Sequence, residues 1–277
     1  MDRQSADTRQ TREFKLNKIR IADHLPEALS VPEVANLAFA GRIASRKVID
    51  KDDFTLSLWR HELAPGATIT LDAPAQDHTF YVVEGEMTVG GTPVPPKGAA
   101  SVGARAKTVI GAGAEGATVL HYVGHAESRP DKPGGCVHIL SQPWLERSPV
   151  SSHALYFDSS CPNCSVWLHM TQGQKGSGAK PHYHTEDEII CVVEGEMNLG
   201  TRDVATGGAV GIAKEVVYSF NRGEGGLAFI NFRQADPFFL PKGKKVEEAE
   251  SERILMRAHL QRLRDETVRA GAQPAPA

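Results

Sequence analysis

The sequence is poor in cysteine, in excess charge of either sign and in long apolar runs. Its four cysteines among 277 residues are too few for the disulfide framework of a small secreted domain. With 31 lysines and arginines against 34 acidic residues, the net charge of −3 gives no electrostatic reason to expect nucleic acid. No apolar stretch approaches the roughly 20 residues that span a bilayer, and the polar N-terminus lacks the apolar core of a signal peptide. We therefore predict a cytoplasmic protein with no nucleic-acid or membrane partner.

The cysteines form no complete metal motif in the sequence. Cys161 and Cys164 flank a Pro-Asn pair, a spacing typical of half a zinc site or of a redox pair. No second pair accompanies them, and a structural zinc site normally needs four ligands. The sequence therefore favours a turn between strands for this pair. Cys191 lies in an apolar run and is predicted to be a small core residue.

The chain contains an internal repeat. Residues 82–87 (VVEGEM) recur 110 positions later at 192–197, and the same offset relates Gly66 to Gly176 and Leu58 to Leu168. Apolar runs at 117–122 and 227–232 also match in this register. One register without gaps indicates that a whole domain has been duplicated, since the period is too long for a solenoid.

Each copy has the pattern of short strands and turns. Residues 54–59 and 165–170 are apolar or alternating over strand length, and residues 79–83 and 189–193 are β-branched or aromatic runs that end at Glu-Gly-Glu. Paired glycines punctuate these runs as turns. Many short strands at such spacing are typical of a sandwich or barrel.

The strongest chemical signal lies at residues 176–195. His182 and His184 are two positions apart and point to one face of a strand, since side chains alternate with period two. Glu188, after a short turn, can return to that face on the next strand. Two imidazoles and one carboxylate suit a divalent first-row metal, and the two-His-one-carboxylate triad is typical of non-haem Fe(II) oxygenases.

These residues resemble the first motif of the cupin superfamily, G-x5-H-x-H-x3-E-x6-G. Gly176, His182, His184, Glu188 and Gly195 fit every fixed position. The resemblance implies an all-β fold of two tandem cupin (jelly-roll-like) β-barrels, with a metal held by His182, His184 and Glu188. Fe(II) is the favoured metal; Mn, Zn and Ni are alternatives.

The second cupin motif, G-x5-P-x-G-x2-H-x3-N, is not kept. Counted from Gly207, the position of the family's third histidine is Tyr218. Three roles are open for Tyr218: a phenolate ligand, an acid, base or hydrogen-bond donor beside an open coordination position, or a space-filling residue at a weakened site. We favour the second and treat Tyr218 as the candidate catalytic residue.

The first copy has kept the turns and lost the ligands. Gly66 and Gly85 remain, but the ligand positions become Asp72, Pro74 and His78, and the position of Tyr218 becomes Thr108. Since proline binds no metal, we expect a scaffold or an oligomer interface there. Asp72, His78 and His121 are candidates for a separate polar pocket.

Candidate substrate contacts follow from strand parity. Parity from Glu188 and Tyr218 predicts that Ile190, Val192 and Phe220 form an apolar wall. His169 alternates along its strand with apolar residues, and the sequence does not tell which set faces the cavity. His169 and Asn231 are therefore weaker candidates.

The predicted organisation has five parts. They are a mobile tail at 1–20, a degenerate barrel at 21–125, a linker at 126–150, a metal-binding barrel at 151–240, and a C-terminal segment at 241–277 that holds an α-helix over about 246–268. We also expect a homodimer or higher homo-oligomer, since cupins commonly pair through sheet edges that would otherwise be exposed.

Three functions are consistent with these features. The favoured one is a non-haem Fe(II) dioxygenase-like oxidoreductase acting on a small organic substrate. The second is a non-redox metalloenzyme, a hydrolase, lyase or isomerase. Bicupins that resemble ureidoglycine aminohydrolase also combine a degenerate first barrel with a metal site in the second. Their first-motif ligands differ in type from those of this sequence, so this resemblance implies only the architecture. The third is a non-catalytic small-molecule-binding module.

Overall fold

The computed structural model describes residues 19–22, 36–50, 54–124, 132–141, 144–147, 151–158, 161–234 and 239–244. These residues form nineteen β-strands in two sheets, and no helix occurs among them. The all-β prediction is confirmed. The C-terminal helix predicted over about 246–268, and most of the tail at 1–20, lie outside the described residues.

The first sheet has nine strands. They are β2 (Leu37–Ala40), β3 (Ile43–Ile49), β4 (Ser57–Leu63), β5 (Thr68–Asp72), β6 (His78–Val89), β7 (Thr92–Val94), β8 (Ala99–Val102), β9 (Lys107–Val123) and β10 (Val137–Leu140). The main strand order is β10-β8-β6-β9-β4-β3, and the strand pairs are antiparallel.

The second sheet has ten strands. They are β1 (Ile19–Ala22), β11 (Trp144–Arg147), β12 (Ser151–Asp158), β13 (Trp167–Gly173), β14 (Gly178–His184), β15 (Glu188–Leu199), β16 (Arg202–Ala205), β17 (Ala209–Ile212), β18 (Tyr218–Arg233) and β19 (Phe239–Pro241). Its main order, β1-β17-β15-β18-β13-β12-β11, repeats that of the first sheet. Strands β13, β15 and β17 begin 110 residues after β4, β6 and β8, so the sequence repeat is a repeat of strands.

A glycine makes the same close approach in each barrel. Gly85 and Gly195 have φ of 71° and 74°, a region that L side chains rarely adopt. A Cβ on either would lie 2.2 Å from a carbonyl oxygen, that of Gly116 or Gly226. The long central strands of each barrel, β6 with β9 and β15 with β18, shift register beside these glycines.

Each sheet borrows a strand from the chain segment that precedes the other barrel. Strand β1 precedes the first barrel but pairs with β17 of the second sheet. Strand β10 precedes the second barrel but pairs with β8 of the first. The range 126–150, predicted as a linker, thus contains β10 and β11.

Two equivalent aspartates join the barrels. Asp77 accepts hydrogen bonds from the backbone of Ala104 in its own barrel and of Ser165 in the other, both at 2.7 Å. Asp187 does the same with Lys214, at 2.8 Å, and Thr55, at 2.9 Å. Each barrel therefore has an aspartate that accepts a hydrogen bond from a backbone N–H of the other barrel.

The core is divided into three clusters. One fills the first barrel and one the second, and the third lies between the sheets and draws residues from both. In this shared cluster the rings of Tyr122 and Phe232 are 4.9 Å apart. Cys191 is buried there, as predicted. In the part of the chain that the structure describes, no helix is long and apolar enough to cross a membrane.

Candidate metal centre

The two histidines and the glutamate of the predicted triad lie together inside the second barrel. His182 and His184 end β14, and Glu188 begins β15 after a short turn. All three are buried, at 3%, 4% and 1% exposure. The imidazole of His184 is 3.9 Å from Glu188, measured from Nε2 to Oε1, and the rings of the two histidines are 5.0 Å apart.

His182 is oriented by the backbone. Its Nδ1 lies 2.6 Å from the carbonyl oxygen of Lys180, which can only accept, so Nδ1 donates and the lone pair of the neutral ring is on Nε2. A hydrogen bond from the far ring nitrogen to a carbonyl is the usual way in which metal-ligating histidines are held. Burial lowers the pKa of His182 and favours this neutral form.

An arginine that was not among the predicted site residues binds two members of the triad. Arg233, the last residue of β18, is opposite Glu188 in the sheet. Its Nη2 donates to Glu188 Oε2 at 2.6 Å and to His184 Nε2 at 2.9 Å. Because a guanidinium has no acceptor, His184 must accept with a lone pair on Nε2. His184 is therefore also neutral in this arrangement.

Glu188 is the anionic member of the cluster. Its Oε2 also accepts from Arg233 Nε at 3.1 Å and from Asn231 Nδ2 at 2.7 Å. Burial alone would raise the pKa of this carboxyl, but the positive charge of Arg233 and smaller contributions from neighbouring side chains together outweigh burial and lower the pKa to about 2. The second oxygen, Oε1, is buried without a hydrogen-bond partner.

Tyr218 lies beside the histidines. Its ring centroid is 4.4 Å from that of His182 and 6.3 Å from that of His184, and the residue is 6% exposed. Burial, and then the negative charge of Glu188, raise the pKa of Tyr218 well above its usual value. The phenol therefore keeps its proton at neutral pH in this arrangement.

The predicted wall residues surround these groups. Ile190, Val192 and Phe220 are buried in the same apolar cluster as Tyr218, and Asn231 contacts Glu188 directly. The structure also shows which face of β13 points away from the other barrel. Leu168 packs in the cluster between the sheets, so the alternate residues, His169 among them, lie on the other face.

His169 lies on the opposite face of β13 from Leu168. It accepts a hydrogen bond from Trp167 Nε1 at 2.8 Å and lies edge-on to Phe229. Burial and then the charge of Arg233 lower the pKa of His169 well below its usual value.

The first barrel holds a neutral histidine chain at the equivalent positions. His78, His121 and His61 stand where the second barrel has Glu188, Asn231 and Thr171. Hydrogen bonds run from Ser45 Oγ to His61 (2.8 Å), from His61 to His121 (3.0 Å) and from His121 to His78 (2.8 Å).

The polar pocket expected in the first barrel is therefore formed by a different set of residues. His78 and His121 are joined by His61, a residue that the sequence analysis did not select. Asp72 is not part of it, because its side chain is exposed and paired with Lys107.

The donor set of the second barrel suits a divalent metal in chemistry and in charge. It offers two neutral imidazoles and an ionised carboxylate with one unpartnered oxygen. The lone pairs of His184 and Glu188 already converge on a positive charge, that of the Arg233 guanidinium. A metal bound by all three residues would take the place of Arg233 at these atoms.

A signal for Arg233 was present in the sequence. The residue has the same parity as Asn231 and is a charge at the end of the apolar run 227–232. A charged residue in such a run is expected to have a buried partner. The 110-residue register aligns Arg233 with Val123 of the first barrel, so the charge is specific to the second copy.

Comparisons with solved structures identify proteins that share this fold. Oxalate decarboxylase from Bacillus subtilis matches with a TM-score of 0.58 at 12% identity, over 79% of this chain and 76% of that one. A putative glyoxylate-induced protein from Pseudomonas aeruginosa matches with a TM-score of 0.58 at 15% identity, over 79% and 88%. No family model and no curated sequence matches. The chain thus shares the two-barrel fold of these proteins, which supports the cupin resemblance at the level of fold.

Proposed function

We propose that the second barrel is the active site of a metal-dependent enzyme that acts on a small organic acid, with His182, His184 and Glu188 as ligands. The observation that carries this proposal is the contact of a neutral imidazole, that of His184, and an ionised carboxylate, that of Glu188, with one buried positive charge, with the imidazole of His182 next to that of His184. Such a set is costly to bury without a cation. A divalent metal and Arg233 are the two cations that can satisfy it.

The charge of the site supports an anionic substrate. With neutral histidines, Glu188 and Arg233 cancel each other, so a bound divalent metal gives the buried site a charge of +2. A small carboxylate would compensate this charge. Arg233, released from Glu188, presents a planar fork of donors that matches a carboxylate in geometry. The fold neighbours include a protein named for oxalate, which is an anion of this class.

Tyr218 is proposed as the proton donor of the reaction. Its ring lies beside that of His182, and burial keeps the phenol protonated at neutral pH. A neutral donor held next to a bound anion can protonate it or stabilise its developing charge. Ile190, Val192 and Phe220 are buried in one apolar cluster with Tyr218 and would exclude water from one side of the site.

The metal decides the reaction class. When bound, Fe(II) would supply redox chemistry with oxygen, whereas Mn, Zn or Ni would supply Lewis acidity. We favour a dioxygenase-like oxidoreductase with Fe(II), because the triad is the donor set typical of non-haem iron enzymes. The alternative of a non-catalytic small-molecule-binding module is supported by the contacts of Arg233 with His184 and Glu188, because the guanidinium occupies the atoms that a metal would bind.

Metal content in matched variants tests the proposal. After anaerobic purification, His182→Ala and His184→Ala are each expected to lower the metal content by about one ion per chain. His153→Ala is the control, since His153 is an exposed residue of β12. If the two triad variants keep the wild-type metal content, the proposed ligands are wrong. If iron is bound but no small carboxylate drives oxygen uptake, the oxygenase form is wrong.

A further inference from the structure

Three cysteines and a histidine meet at the junction of the two barrels, away from the candidate metal centre. Cys136 and His138 lie at the start of β10, on the edge of the first sheet. Cys161 and Cys164 lie in the segment between β12 and β13 of the second sheet. The ligand atoms of these four residues all lie within 4.8 Å of one another, the one such group of three or more among the residues described.

We propose that Cys136, His138, Cys161 and Cys164 bind one zinc ion that joins the two barrels. Three thiolates and one imidazole form a complete tetrahedral ligand set for structural zinc. In the sequence, no second cysteine pair accompanies Cys161 and Cys164. The structure supplies Cys136 and His138, from 25 and 23 residues upstream of Cys161.

The distances fit a shared ion and exclude a disulfide. Zinc–sulfur bonds of about 2.3 Å in a tetrahedron place two sulfurs about 3.8 Å apart. The Sγ atoms of Cys136 and Cys161 are 3.9 Å apart, whereas a disulfide would require about 2.05 Å. His138 presents its Nε2 at 3.1 Å from the same sulfur.

Backbone N–H groups are directed at the sulfur of Cys161. The Sγ of Cys161 accepts hydrogen bonds from the N–H groups of Asn163 and Cys164, both at 3.3 Å. Such donors stabilise a thiolate. Lys132 fixes the same turn by donating to the carbonyl oxygens of Cys161 (2.5 Å) and Cys164 (2.7 Å).

The position of the cluster between the two barrels indicates a structural role for the ion. Gly103 of the first barrel donates its N–H to the carbonyl oxygen of Cys136, and a Cβ at Gly103 would lie 2.7 Å from the Cys136 sulfur. Ser165, next to Cys164, is bound by Asp77 of the first barrel. Each barrel thus supports two of the ligands, and a site with four protein ligands is structural.

Thiol-coupled zinc release is the first test. The His182→Ala protein, which lacks a ligand of the candidate metal centre, is purified under reducing conditions from zinc-supplemented cells, and a mercurial reagent is added in the presence of a chromogenic zinc chelator. We expect about one zinc per chain to be released in step with thiol modification. Zinc that is absent, or that is released before the thiols react, would overturn the proposal.

Cobalt substitution identifies the ligands. The Co²⁺-loaded protein is expected to show a thiolate charge-transfer band and the strong visible bands of a tetrahedral site. The double variant Cys161→Ser/Cys164→Ser should lose both, and Cys191→Ala, which changes a core cysteine outside the cluster, should keep both. His138→Cys keeps four ligands and should keep the metal with shifted visible bands. Wild-type protein without the charge-transfer band, or a double variant that retains it, contradicts the site.

The candidate metal centre is tested separately. His182→Ala should leave the cobalt charge-transfer band intact, because that centre has no sulfur ligand. In the His182→Ala background, a strong chelator should lower the Tm by about 5 °C or more, and it should leave the Tm unchanged when Cys161→Ser/Cys164→Ser are added to that background. If the chelator lowers both equally, the stabilising ion lies elsewhere and the zinc bridge is wrong.

Discussion

At the residue scale, Arg233 decides the state of the candidate metal centre. It is 6% exposed and binds both Glu188 and His184, two of the three proposed ligands. A buried charge that loses its partner is destabilising, so Glu188 needs either this guanidinium or another cation. Arg233 and a metal therefore compete for the same lone pairs.

We predict that Arg233→Gln tightens divalent-metal binding at the candidate centre by about tenfold or more, which corresponds to ~1.4 kcal/mol. The physical reason is that the metal no longer has to displace a guanidinium from Glu188. Metal affinity is measured by calorimetry in the Cys161→Ser/Cys164→Ser background. Arg202→Gln, at an exposed position, is the control. Unchanged or weaker binding in Arg233→Gln would show that Arg233 does not compete.

The histidine chain of the first barrel makes stability depend on pH. Burial lowers the pKa of His61 to about 3 and that of His78 to about 4. Burial, and then its two histidine neighbours, lower the pKa of His121 well below its usual value. Histidines in the unfolded chain titrate near about 6.5, so the unfolded state binds more protons below that pH. Stability is therefore full above about pH 6.5 and declines as the pH falls toward 4.

The substitution His121→Asn removes one histidine from the histidine chain of the first barrel. Asparagine is the residue that the second barrel has at the equivalent position, Asn231. We predict that His121→Asn reduces the slope of the urea midpoint against pH between 7 and 5, whatever it does to the absolute midpoint. Urea unfolding, monitored by circular dichroism at several pH values, gives the slope of the midpoint against pH for the wild-type protein and for the variant. Parallel lines for wild type and variant would exclude His121 from the pH dependence.

At the element scale, the duplicated strands keep their geometry while their chemistry diverges. The two copies of the central strand begin at His78 and at Glu188, in the same register with their neighbours. Alternation and turn residues could be read from the sequence because they depend on local backbone geometry. The face that His169 occupies could not, since it depends on which side of β13 packs against the other barrel.

The glycine at the strand shift is expected to be needed in both copies. Gly195→Ala forces an L residue to φ of 74° and puts a Cβ 2.2 Å from a carbonyl oxygen. We predict a loss of about 3 kcal/mol or more in the free energy of unfolding, measured by urea denaturation. Gly225→Ala is the matched control, because a Cβ there meets nothing within 4 Å. Equal effects of the two substitutions would refute the close-approach explanation.

At the scale of the whole molecule, each barrel depends on chain from outside it. Strand β1 completes the edge of the second sheet beside β17, and β10 does so in the first sheet beside β8. The shared cluster between the sheets and the aspartate contacts add to this dependence. Exchanged edge strands also cover backbone groups that an open edge would expose.

Deletion of residues 1–22 should therefore weaken the second barrel, although these residues precede the first. We predict faster hydrogen exchange in β17, at the amides that face β1, and a lower urea midpoint. The physical reason is that β17 becomes an edge strand. Deletion of residues 1–18, which keeps β1, is the control. If both deletions exchange alike, β1 does not protect β17.

The duplication, the all-β class and the grouping of His182, His184 and Glu188 could be predicted from the amino-acid sequence. These features depend on local periodicity, turn glycines and ligands only a few residues apart. Two contacts became apparent only in the folded chain: that of Arg233 with His184, 49 residues away, and that of Cys136 with Cys161, 25 residues away. Such contacts follow from strand pairing and from the packing of one barrel against the other, which no local pattern encodes. The roles proposed for both clusters depend on these long-range contacts.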